Sequence, residues 1–203
     1  MNEKFGLLDW RRQTHELYAA LRETPEGGRE VAWQHWRAMR NEMFKHHPQS
    51  PLDETQKESF LGLSYFDFDT ACRVLGTLEQ VKRETFQVNL DADGDFDFSR
   101  VGKVRFEIKG YSGQLSVFWI EGYGGGLFIP FKDDTNGLET FGGGRYLFDT
   151  IKGADLGTSG DDIVLDFNFA YNPSCAYHAR WVCPLSPPEN SLSFALTAGE
   201  KKI

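Results

Sequence analysis

From about residue 63 onward the chain alternates between two textures. Short runs rich in β-branched and aromatic residues (ACRVLGTLE, ETFQVNL, KVRFEIKG, QLSVFWI, GLFIPF, RYLFD, DIVLDFNF and LSFALTA) are separated by DADGD, GYSG, EGYGGG, DDTNG, KGADLGTSGDD and PLSPPEN. Runs of this length favour extended backbone, and Gly, Asp, Asn and Pro between them favour turns. Strands spaced so closely leave no room for crossover helices, so they pair antiparallel. The pattern predicts a mainly β fold, an antiparallel barrel or sandwich of about eight strands.

The first third differs. Trp10, Leu17, Tyr18 and Leu21 recur at helical spacing, TPEGG (24–28) interrupts them, and Ala32, Trp36, Met39 and Met43 form a second helical stripe. HPQSP ends that helix, and Ser50-Pro51 suits an N-cap followed by proline at the start of a short helix through DETQKESF. Residues 1–62 therefore read as a helical segment packed on a β domain at 63–203, one structural unit overall.

The 203 residues include 17 Phe and 5 Trp, ample apolar surface for a core. Lys and Arg total 22 against 30 Asp and Glu, a formal charge of −8. Without a basic block, such a surface repels nucleic acid and anionic lipid, so neither is expected as a partner. The N-terminus lacks the apolar segment of a secretory signal, and no apolar run is long enough to span a bilayer. The expected setting is the cytoplasm, where the odd set Cys72, Cys175 and Cys183 stays reduced.

DADGDFD (91–97) has alternating aspartates, but it lacks the Gly and Glu positions of an EF-hand, and Asp93-Gly94 reads as a hairpin turn. The triple glycines of GYGGGLF and FGGGRY lack the Lys-Ser/Thr of a phosphate loop, so they indicate positive φ or close backbone approach. Cys175, His178 and Cys183 offer three metal ligands or a Cys–His pair, but no second ligand pair accompanies them. Neither a metal nor any other cofactor is expected.

The residues that attract most interest lie in DFNFAYNPSCAYHARWVCPLSPPEN (166–190). Read as a strand, the segment puts Asp166, Asn168 and Asn172 on one face and Phe167, Phe169 and Tyr171 on the other. DIVLDF just before is apolar on both parities, which implies burial on both sides, where Asp and Asn must find partners. Arg145, at the start of the RYLFD run, is the natural guanidinium, with Glu139, Tyr171, Glu189 and Asn190 as further partners.

The segments SPL (50–52), FLGLSYF (60–66), LFIPFKDDTNGLETFGGGRYL (127–147) and LDFNFAYNPSCAYHARWVCPLSPPENSLSFALTAGEK (165–201) resemble the prokaryotic domain-of-unknown-function family 1684. The resemblance spans nearly everything beyond the first helix. Its recurring pattern matches at Glu139, Gly144, Arg145, Tyr146, Asp166, Asn168, Tyr171, Asn172, Cys175, Cys183, Glu189, Asn190 and Glu200. Phe141 stands where that family often has Tyr, and the position of His178 varies. The resemblance implies no substrate, cofactor or mechanism.

The expectation is a concave, partly buried polar cluster with an aromatic wall, built from Arg145, Glu139, Asp166, Asn168, Tyr171, Asn172, Glu189 and Asn190. As a metal-independent hydrolase or lyase, it would anchor an anionic small molecule on Arg145. Asp166 or Glu189 would serve as general acid/base, with the asparagines orienting substrate. The same pocket could belong to a non-catalytic binding module for a carboxylated or phosphorylated molecule. Alternatively, the cluster only pins the fold and the helices offer a partner surface.

Overall fold

The computed structural model describes residues 3–89 and 95–202. The expected 91–97 turn lies largely outside those residues. Its flanks form strands that pair up to Asn89 and Asp95.

Three helices come first: α1 (Glu3–Glu23), α2 (Arg29–His46) and α3 (Glu54–Ser59). The break at TPEGG falls between the first two, as the glycines and proline require. α3 begins later than Ser50-Pro51 suggests, because Asp53 forms a reciprocal cap: its carboxylate accepts from Gln56 N at 2.7 Å, and Asp53 N donates to Gln56 Oε1 at 2.9 Å. Ser50 instead donates its hydroxyl to Phe44 O at the end of α2.

Seven strands follow: β1 (Arg73–Asn89), β2 (Asp95–Ile108), β3 (Tyr111–Ile120), β4 (Gly126–Phe131), β5 (Arg145–Asp149), β6 (Thr158–Ser159) and β7 (Asp162–Asp166). They form one antiparallel sheet in the order β5-β4-β3-β2-β1-β7-β6, curled into a half-barrel. On β2 the polar Arg105 and Glu107 face outward, while Val104, Phe106 and Ile108 are buried. Register shifts between Gln80 and Glu84 and between Arg100 and Gly102 bend the long β1–β2–β3 ribbon. Close approach matters at Gly76, where a Cβ would stand 2.3 Å from Val104 Cγ2.

The mainly β architecture with N-terminal helices is as expected, but two runs depart from it. LSFALTA alternates in burial like a strand, with Leu192, Phe194, Leu196 and Ala198 inward, yet it joins no ladder. After β7 the chain turns instead of continuing extended. The Asp166 carboxylate accepts from Asn168 N at 3.1 Å and caps a 3-10 turn over Phe167–Phe169. The predicted alternation is lost there, and Phe167, Asn168 and Phe169 are all buried.

The helices and the sheet share one core. Tyr18 and Leu21 from α1 and Trp33 and Trp36 from α2 cluster with Val104, Ile129, Leu147 and Leu165 of the sheet. Trp36 packs edge-on against Phe169 with ring centroids 5.1 Å apart, and Phe167 lies between Phe106 and Phe131. Each fully buried aromatic of this kind stabilises the fold by about 2–3 kcal/mol. None of the described helices is long and apolar enough to cross a membrane.

Candidate functional site

Arg145 opens β5 directly after Gly144, whose φ of 97° and 2.7 Å Cβ approach to Phe131 O admit only glycine. The guanidinium that follows is fully buried. It does not meet Asp166: Nη2 binds Asp133 Oδ2 at 2.7 Å and Leu196 O at 3.1 Å, while Nη1 binds Ala198 O and reaches Glu200 O at 3.4 Å. These carbonyls belong to the LSFALTAGE segment, which satisfies them with a side chain instead of a neighbouring strand. Arg145 therefore pins the C-terminus and cannot anchor an outside ligand.

The other expected partners are dispersed as well. Asn190 spans two strands, accepting from Ser116 N at 2.8 Å and donating to Ser116 O and Pro130 O at 3.0 and 2.7 Å. The bridge falls where Pro130 has no N–H to donate to the sheet. Glu189 is exposed and pairs with Arg100 at 3.1 Å, beside an apolar hollow of about 210 Å³ walled by Phe98, Phe118 and Phe128. Glu139 is exposed too, its nearest cation Lys201 at 3.7 Å. Glu189 and Asp166, the two acid/base candidates, line different hollows.

Tyr171 and Asn172 line a second, small cavity of about 70 Å³ between the helices and the loops beyond β5 and β7. Asn172 N donates to Glu200 Oε2 at 3.3 Å, and its Nδ2 donates to Lys201 O at 2.9 Å. Glu200, also buried, is held by Arg40 at 2.8 Å and by the Tyr177 hydroxyl. This network ties α2 to the chain end; its cavity has room for a few water molecules, not a metabolite.

Asp166 is set apart from all of these. Residues at the α1–α2 junction, the start of β1 and the β6–β7 hairpin enclose a cavity of about 370 Å³, and Asp166 lies in its lining. The antiparallel register makes Arg73 the direct cross-strand partner of Asp166, so both side chains emerge on one face of the sheet. Arg29, the first residue of α2, and Arg22, near the end of α1, also line the cavity. Leu21, Leu156, Val164 and Phe169 supply its apolar lining, and Thr24, Thr158 and Ser159 its hydroxyls.

The electrostatics of this cavity are unbalanced. Asp166 Oδ1 is occupied by Asn168 N and Nδ2, the latter at 2.8 Å, whereas the buried Oδ2 has no hydrogen-bond partner. The Nε atoms of Arg29 and Arg73 are likewise buried and unpartnered. Burial pushes the Asp166 carboxyl from its ordinary 3.8 up to about 6, against the opposing pull of Asn168's hydrogen bonds and the charges of Arg73 and Arg29. Burial also lowers the Arg73 pKa, and the neighbouring Arg29 charge adds to that shift. Asn168 serves this site from behind: it orients Asp166 while its amide exchanges two hydrogen bonds with the Asp69 backbone, at 2.9 and 2.8 Å.

Sequence reasoning singled out Asp166 and Asn168 and did not name Arg22, Arg29 and Arg73, which line the cavity with Asp166. The available signal was a single arginine inside the apolar ACRVLG run, where a buried cation needs a partner. The alternative metal set does not assemble either. Cys175 and Cys183 meet, but His178 turns to Asp53 at 3.4 Å, and among the described residues no group of three His, Cys, Asp or Glu side chains is placed to hold an ion.

A curled antiparallel half-barrel with a helical layer over a basic, carboxyl-bearing cavity is thus the class of protein defined here. The family model described as protein of unknown function (DUF1684) matches residues 58–201, and the chain belongs to that family. It is also similar to an uncharacterized protein from gene locus rrnAC0354 of Haloarcula marismortui, solved by solution NMR. That match has 35% identity and a TM-score of 0.59, covering 85% of this chain and 93% of the other. No curated protein matches the sequence.

Proposed function

We propose that the Asp166 cavity binds a small anionic metabolite and transfers a proton to or from it. The observation that carries this reading is the coincidence of three unpartnered buried groups, Asp166 Oδ2, Arg29 Nε and Arg73 Nε, in residues lining one cavity. Buried polar atoms ordinarily find partners, and a carboxylate or phosphate group supplies acceptors to the guanidiniums. That three arginines line a cavity in a chain of formal charge −8 supports the same ligand class. Arg29 and Arg73 hold the anion. Asp166, with a pKa near 6, donates a proton when neutral and accepts one when charged, and Asn168 keeps it oriented.

The chemistry that fits is hydrolysis or elimination with proton transfer through Asp166. The site serves equally as a binding module if nothing reacts. Calorimetric titration with inorganic phosphate and with a small dicarboxylate tests the ligand class. Each of Arg29→Gln and Arg73→Gln is expected to weaken binding roughly ten- to a hundredfold, the equivalent of one charged hydrogen bond. Unchanged affinity in the double variant would sink the proposal. Asp166→Asn separates the two roles: retained affinity with lost turnover means an enzyme, and retained affinity with no turnover in either protein means a binding module.

A further inference from the structure

Two of the three cysteines lie apart from that cavity and have no role in it. Cys175 sits in the 3-10 turn Ser174–Ala176, and Cys183 in the segment that returns toward Pro184. The loop between them packs on the helical layer: Trp181 Nε1 donates to Pro51 O at 2.9 Å, and the Tyr177 ring meets Phe44 of α2 edge-on with centroids 4.9 Å apart. This fold brings the Cys183 sulfur against the backbone of Cys175. Cys175 N donates to Cys183 Sγ at 3.4 Å. Both are half-buried, whereas Cys72 is completely enclosed.

The pair is asymmetric. The Cys175 thiol, the backbone N–H groups of Cys175 and Ser174 and the charge of Lys152 all favour a thiolate on Cys183, against the opposing effect of burial. Cys175 is pushed the other way, toward the thiol, by the neighbouring Cys183 sulfur and by burial. Cys183 thus leans toward thiolate beside a neighbour, Cys175, that leans toward thiol.

We propose that Cys175 and Cys183 form a redox-active pair that reduces a hydroperoxide and closes to an intramolecular disulfide. The Cys183 thiolate attacks the terminal peroxide oxygen, and the O–O bond breaks. The departing alkoxide or hydroxide takes a proton to leave as alcohol or water, and Cys183 becomes a sulfenic acid. The Cys175 thiol then attacks that sulfur, forming the S–S bond and releasing the hydroxyl with the thiol proton as water. Two thiols thereby supply the two electrons that the peroxide accepts, and a dithiol reductant restores them by exchange.

The test uses the reduced full chain treated with one equivalent of hydrogen peroxide. Trypsin cleaves after Arg180, between the two cysteines, so the product is expected as a joined pair of peptides lighter by two hydrogens, reversed by dithiothreitol. In Cys175→Ser, which lacks the second sulfur and keeps the backbone N–H that donates to Cys183, the sulfenic acid persists and dimedone labels Cys183. In Cys183→Ser, peroxide consumption falls at least tenfold. Peptide mapping of the wild-type chain that finds Cys175 and Cys183 unlinked, or oxidation of Cys72 at the same rate, would overturn the proposal. So would consumption in Cys183→Ser equal to that of the wild type.

Discussion

Asp166 shows how much a single side chain depends on its surroundings. A carboxyl raised from 3.8 to about 6 by burial carries a cost of about 3 kcal/mol when it ionises at neutral pH. Between about pH 4 and pH 6 the folded chain keeps this proton while the unfolded chain has released it. Its contribution to stability is therefore fully present below about pH 4 and lost as pH rises through about 6. Asp166→Asn keeps an acceptor for Asn168 and removes the ionisation. The variant is expected to melt higher than wild type at about pH 7.5 and to lose the decline between pH 4 and 6, which thermal melts across that range would show. The carboxylate itself was legible in the sequence, because DIVLDF is apolar on both parities and an Asp at its end must be buried. Its neighbours were not. Arg73 meets Asp166 only through the β1–β7 register, and Arg29 only through the position of α2, so local pattern holds no trace of either.

At the level of elements, the segment LSFALTA is the instructive failure. Its alternating burial is that of a strand, and the expected strand differs from the observed segment only in who takes its hydrogen bonds. Arg145 binds three of the carbonyls between Leu196 and Glu200 and neutralises Asp133 with the same fork. Replacing it by Ala leaves Asp133 buried without its cation and the carbonyls without donors, a loss of about 3–5 kcal/mol. Lysine, a point charge without the planar fork, is expected to recover only part of that loss. Urea unfolding measures both variants, and hydrogen exchange should show protection falling first in residues 192–200. A stability for Arg145→Ala within about 1 kcal/mol of wild type would refute this account. The arginine stood out from its place after FGGG, but ligand anchor and internal pin require the same residue type, and its buried contacts are those of a pin.

Across the whole molecule, the boundary near residue 62 that composition suggests is not a boundary in the core. The matched family region begins at residue 58, beyond α1 and α2, yet Tyr18, Leu21, Trp33 and Trp36 are packed among the side chains of the sheet. Arg40 of α2 holds Glu200 at the far end of the chain, and Arg29 completes the cavity around Asp166. Removing four buried side chains at about 2–3 kcal/mol each consumes most of the stability of an ordinary domain. A fragment of residues 58–203 is therefore expected to bind hydrophobic dye and to lack a cooperative melt. A sharp calorimetric transition in that fragment would show that the sheet stands alone.

Local periodicity and turn residues determined by themselves that this chain makes helices first and an antiparallel, aromatic-rich sheet after, because those signals act between near neighbours. They also marked Asp166, Asn168 and Arg145 as buried polar groups that need partners. Only the tertiary structure decided which cation meets which carboxylate: Asp133 received Arg145, Glu200 received Arg40, and Asp166 was left facing a cavity with Arg73 and Arg29. Pairing of charges depends on strand register and helix placement, at separations from 12 residues for Asp133 and Arg145 to 160 for Arg40 and Glu200. A sequence can state that a buried charge must be satisfied, but it takes a folded chain to choose the partner.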